Sequence, residues 1–168
     1  GWGIHKWSQM FSNRQLLSLQ TIISKINDLK QVLNTKENDY HKAIITYLGI
    51  LINRITPRFN MFTLWNTAAE TLEHIFGRQA IPMVFDYPES NIFSSAGGSA
   101  QSQIGWITKY IESESNSEFY SECINAASGD KTQFEPKTLT CVVTDPPYYD
   151  AIAYADLSDF FYVWYKRI

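Results

Sequence analysis

The sequence predicts an α/β protein: an N-terminal helical region followed by part of a doubly wound, Rossmann-like sheet. Three observations predict it. Apolar residues recur at helical spacing through residues 1–77, the period changes near residue 119, and a short β-branched run, Thr138 to Thr144, ends in an Asp-Pro-Pro turn. A loop-rich connection with one helix, residues 78–118, joins the two parts. The α/β unit, residues 119–168, is too short to be a whole doubly wound domain.

Residues 13–33 read as a helix, with Leu16, Leu17, Leu19, Ile22, Ile23, Ile26, Leu29 and Leu33 at helical spacing and Ser12 or Asn13 as its cap. A second helix, Asp39 to Ile55, carries Tyr40, Ala43, Ile44, Tyr47, Leu48, Leu51 and Ile55. Pro57 ends it, because proline lacks the amide donor. Thr67 to Phe76 reads as a short third helix closed by Gly77. Short connections make these helices antiparallel neighbours. Residues 78–101 hold prolines, paired glycines and serines, hence a loop with a short extended piece at Met83-Val84-Phe85. Ser102 to Ser113 is the next helix, with Ile104, Ile107, Tyr110 and Ile111 on one side. Ser121 to Ala127 is β-compatible and ends at Ser128-Gly129-Asp130. Thr138 to Thr144 fits a buried strand of a parallel sheet, and Asp156 to Arg167 the helix after it, capped by Asp156. The chain stops inside that amphipathic pattern, which predicts a piece of a longer polypeptide.

The 168 residues are 45% hydrophobic and 18% charged, the profile of a globular chain. A net charge of −3 excludes a strongly basic nucleic-acid-binding module, so phosphate-binding charge must be local or lie elsewhere. Arg14, Arg54, Arg58 and Arg78 are the candidates for it; Arg58 and Arg78 lie in or beside loops, and surface charge or a salt bridge is the plainer role of each singly. Cys123 and Cys141 cannot make a zinc site alone and read as buried, reduced thiols of a cytoplasmic protein. His5, His41 and His74 are scattered and read as structural, so no metal is expected. No apolar run is long enough to cross a membrane.

The chemistry lies in Thr144-Asp145-Pro146-Pro147-Tyr148-Tyr149-Asp150. Ligands of open α/β sheets bind beyond the carboxyl ends of strands, where this segment sits. An exocyclic amino group on a nucleobase is a poor nucleophile, because its lone pair is delocalised into the ring. The Asp145 carboxylate can accept one of its N–H groups and the Pro146 carbonyl the other. Two such acceptors localise the lone pair and stabilise the positive charge that develops as a methyl group arrives. Pro146 and Pro147 stiffen the turn and bring no competing amide donor. A base must leave the duplex to reach such a pocket. Tyr148 offers it a stacking face, worth about 1–3 kcal/mol, and Tyr149 and Tyr154 are further wall candidates. Asp150 is a weaker candidate, for orienting Tyr148 or the base. Taken by itself, the same tetrapeptide is also a rigid turn with a core aromatic.

The stretch TDPPYYDAIAYADLSDFFYVWYKR (144–167) resembles the signature of large adenine-specific DNA methylases, the bacterial and archaeal type with a zinc-ribbon insertion. Two further segments, WSQMFSNRQLLSL (7–19) and FGRQAIPMVFD (76–86), are similar to segments of that family, in the same order. The resemblance implies a methyltransferase that uses S-adenosylmethionine and acts on double-stranded DNA with the target base flipped out. It assigns Asp145, Pro146, Pro147 and Tyr148 to the catalytic motif. Aspartate at the first motif position leans towards adenine N6. Asp130 sits where such enzymes meet the adenine of the cofactor, and it equally fits an ordinary Gly-Asp turn.

The departures are as specific. The family's glycine-rich cofactor loop and its zinc-ribbon cysteines are missing, and Ser95-Ala96-Gly97-Gly98-Ser99 follows no strand. The isolated chain is therefore expected to be inactive, to bind S-adenosylmethionine weakly or not at all, and to need the rest of the parent methylase as its partner. Two other readings stay open: a non-catalytic helical module that binds nucleic acid or protein and carries a vestigial motif, and an amino-methyltransferase acting on RNA or a glutamine amide.

Overall fold

The computed structural model describes residues 3–33, 38–78, 80–124, 126, 134–146, 148–149 and 151–168. Their regular structure comprises α1 (Asn13–Val32), α2 (Asp39–Ile55), β1 (Leu64–Asn66), β2 (Thr71–Glu73), α3 (Ala100–Glu114) and α4 (Tyr154–Tyr165). The fold therefore mixes helices with one small sheet, and that sheet is antiparallel. No parallel sheet of the doubly wound kind occurs among the described residues.

The first two helices form where the sequence places them, and side chains fix their starts. The Ser12 hydroxyl accepts from the Gln15 amide at 3.2 Å while the Gln15 carboxamide accepts from the Ser12 amide at 2.8 Å. This reciprocal pair satisfies two donors that the helix itself leaves unpaired. Asn38 caps α2 by accepting from the amides of Tyr40 and His41. Pro57 ends α2 as expected, through a 3-10 turn, Thr56–Arg58. Helix α1 buries Gln15, Leu19, Ile23 and Ile26, whereas Leu17 of the predicted stripe stays exposed. Helix α2 has two apolar faces. Ile45, Gly49, Ile52 and Ile55 enter the core, while Ile44, Tyr47 and Leu48 line an open groove against Ile104, Ile107 and Ile111 of α3.

The third predicted helix is instead a β-hairpin. Leu64, Trp65 and Asn66 pair with Glu73, Leu72 and Thr71. Asn66 decides this. Its carboxamide oxygen accepts from the amides of Ala68 and Ala69 and closes the turn, and its amide nitrogen donates to Glu73 at 2.7 Å. Asparagine favours such local turns over helix. Glu70 completes the reversal with φ of 49°. The buried Asn60 ties the hairpin to α2 by donating to the carbonyls of Thr56 and Pro57 and accepting from Phe62.

Residues 81–99 form a loop, as expected, and Met83-Val84-Phe85 is not a strand within it; Met83 and Phe85 face solvent. Helix α3 starts two residues before the predicted point because Ser99 caps it, accepting from the Ser102 amide. Helix α4 also starts two residues early, with Ala153 at the cap position, so Asp156 is not its cap. Asp156 lies in the first turn, where the helix dipole favours a carboxylate.

The C-terminal strand expectations are not met. Residues 121–124 carry no regular structure, and residues 125 and 127–130 lie outside the described ones. Thr138 to Thr144 is irregular and exposed throughout, with Val143 at 91%. β-branched residues favour a strand only where a neighbour supplies hydrogen bonds and covers the side chains, and no described strand does so here. Cys123 and Cys141 are exposed for the same reason, not buried thiols.

The core is one cluster. Met10, Phe11, Leu19, Ile23, Ile52 and Ile55 from the N-terminal part surround Phe160 and Trp164 of α4. Helix α4 is thereby fixed on α2.

Candidate functional site

The segment carrying the motif leaves a turn in which Thr138 donates from its amide and its hydroxyl to the Glu135 carbonyl. Lys137 reverses the chain there with φ of 67°. From this turn to Pro146 the backbone runs along the surface. Asp145 and Pro146 are exposed, Tyr148 is 73% exposed and Tyr149 fully exposed. Tyr154, at the start of α4, is half exposed. Pro147, Asp150 and the cofactor candidate Asp130 lie outside the described residues. The described part of the motif is therefore presented to solvent, without a walled pocket.

Beneath α4 the structure brings together what is far apart in sequence. Phe160 is fully buried, and four aromatic rings surround it. Trp7 and Phe76 meet it edge-on with centroids at 5.8 and 5.0 Å, Phe11 stacks on it at 6.0 Å, and Phe161 lies edge-on at 5.2 Å. Phe11 also meets Trp164 at 5.2 Å. Such pairs contribute about 0.5–1.5 kcal/mol each beyond the area they bury. The three segments singled out in the sequence, 7–19, 76–86 and 144–167, thus share one aromatic cluster.

The glycine-rich loop lies against the protein's own side chains. A side chain added at Gly98 would meet the Arg58 Cδ at 3.5 Å, and one at Gly97 the Thr71 Oγ1 at 3.7 Å. The space over both glycines is occupied by the protein's own side chains. The loop serves helix α3 instead: the Ala100 amide donates to the Ile92 carbonyl and Ser99 caps the first turn. Among the described residues no group of three His, Cys, Asp or Glu side chains could hold a metal ion, and no helix is long and apolar enough to cross a membrane.

The four candidate arginines separate. Arg14 is bonded to the Glu89 carboxylate, which raises its pKa through hydrogen bonding and charge. Arg78 lines a separate cleft of about 600 Å³ beside the hairpin. Arg54 and Arg58 line a single cleft of about 430 Å³ under α4, together with His74. Spacing of four residues was a legible hint that these two arginines share a face. His74, read from sequence as structural, joins them through the hairpin, which the sequence did not reveal.

Compared with family models, curated proteins and solved structures, the chain matches none.

Proposed function

We propose that this chain is the target-base half of a DNA methyltransferase that uses S-adenosylmethionine and modifies an exocyclic amino group, adenine N6. The observation that carries the reading is the shared aromatic cluster. The three segments that resemble the adenine-specific methylases are separated by more than fifty residues each in sequence, yet their aromatic residues pack around Phe160. Segments retained for unrelated reasons have no cause to meet.

In this reading Thr138 to Thr144 is one strand of a doubly wound sheet, and its exposed apolar side chains are covered by the cofactor-binding part of the same enzyme. That part also supplies the methyl donor's site, because Gly97 and Gly98 are covered by Arg58 and Thr71. Asp145 accepts one N–H of the target amino group and the Pro146 carbonyl the other, while Tyr148 stacks on the flipped base. The protein acts in the cytoplasm, where its DNA substrate lies.

A specific observation favours one rival. The exposure of Asp145, Tyr148 and Tyr149 suits a helical binding module whose motif no longer works in catalysis. Transfer of a labelled methyl group to duplex DNA by the enzyme that carries this chain separates the two. Asp145→Ala is expected to lower kcat by about 100- to 1,000-fold, the loss typical of one charge-stabilising group, with the thermal unfolding of the chain unchanged. Wild-type activity in Asp145→Ala would overturn the catalytic assignment, and an inactive wild-type enzyme would favour the binding module.

A further inference from the structure

The chain carries 17 acidic and 14 basic residues, so a cleft presenting only cations is a local exception. The cleft under α4 is one. Arg54 and Arg58 form one wall, His74 and Phe76 of the hairpin region a second, and Leu157 and Phe161 of α4 the third. Among the described residues no carboxylate lines it.

One of the two guanidinium groups is held in place. The Arg54 Nε donates to the buried Gln103 carboxamide of α3 at 2.9 Å, which orients the plane; among the described residues its outer N–H groups make no hydrogen bond. Arg58 is half-buried, and its stem lies over Gly98. Gly98 has φ of 91°, a conformation that glycine adopts without steric cost and that a side chain would strain. Two neighbouring arginines, one of them oriented, are suited to an oxyanion, because each planar fork can donate two parallel hydrogen bonds to phosphate oxygens. The half-buried rings of Phe76 and Phe161 lower the local polarity and strengthen those bonds.

We propose that this cleft holds the phosphate backbone of a DNA strand, with Arg54 and Arg58 as the contacts and Gln103 as a positioning residue. The choice of DNA rests on the methyltransferase reading; the anionic character of the ligand rests on the cleft alone. Because α4 directly follows the motif and forms one wall, a strand gripped here is tied to the element that carries Tyr154 and leads back to Tyr148.

The test is fluorescence anisotropy of this chain with a labelled DNA duplex, read as affinity against salt concentration. Wild type is expected to bind at low salt. Arg54→Gln with Arg58→Gln is expected to weaken binding at least tenfold and to reduce the slope of log affinity against log salt by about two, roughly one per lost phosphate contact. Lys25→Gln with Lys42→Gln removes the same charge from exposed helix positions and is expected to leave affinity within twofold. Gln103→Leu keeps the net charge and is expected to weaken binding severalfold, with circular dichroism confirming the fold. No binding by wild type, an unchanged slope in the arginine variant, or an equal loss in the lysine variant overturns the proposal. Methyl transfer is not the readout, so failure here leaves the Asp145 assignment standing, and an active Asp145→Ala enzyme leaves this one standing.

Discussion

At the scale of single residues, Phe160 has the most to lose. It is fully buried, and truncating it removes one partner from each of four aromatic contacts, made with two distant segments and with its neighbour Phe161. Phe160→Ala is expected to cost about 3–5 kcal/mol, the usual price of a large cavity in a core, measured as a fall in the urea midpoint. A loss below about 1 kcal/mol would show that the cluster is not the centre of the fold. Asp145 is the opposite case, a solvent-facing carboxylate whose importance is chemical. Its proposed role comes from sequence, because Asp-Pro-Pro-Tyr constrains chemistry in four adjacent letters. The role of Gln103 was not legible there, since a polar residue on a helix says nothing about which arginine it faces.

At the scale of elements, the sequence was most informative where a cap and a long apolar period agreed. Helices α1 and α2 have both, and their bounds fall within a residue of expectation. It was least informative where few residues had to decide between local choices. Thr67 to Phe76 has enough apolar residues for a short helix, but the bonds from Asn66 to Ala68, Ala69 and Glu73 stabilise a hairpin. Asn66→Ala is expected to destabilise the protein by about 1–2 kcal/mol through these lost bonds, and to speed hydrogen exchange of the amides that pair β1 with β2. If exchange there is unchanged, the turn does not depend on Asn66. Strand Thr138 to Thr144 failed for another reason. Its pattern is right for a sheet interior, but a strand's structure is set by its neighbours, and these are not in the described residues. Gly49 shows the same dependence on a partner: a side chain there would meet the Tyr165 ring at 3.1 Å, so glycine lets α4 approach α2 closely.

At the scale of the molecule, packing and surface chemistry divide along the chain. The core draws on residues 10–75, on Ile92 and on α4, whereas residues 134–146 contribute nothing buried. The cationic cleft is likewise a property of the whole, because its walls come from α2, the hairpin region and α4, and net charge conceals it. Composition excluded a basic module but could not show that two arginines and a histidine gather in one place.

The described residues between α3 and α4 are exposed almost throughout, yet α4 is seated by Phe160 and Trp164. Chain continuity and structural attachment are therefore separate things in this protein. Chymotrypsin is expected to cut at the exposed Phe119, Tyr120, Tyr148 and Tyr149 before it reaches any helix. The nicked material should show several pieces on a denaturing gel, and the piece that carries α4 should still elute with the core under native conditions. Separate elution of the C-terminal piece would show that α4 is held by its covalent link alone. Co-elution would make α4 a peptide ligand of its own core, one that can be replaced by a synthetic version with altered side chains.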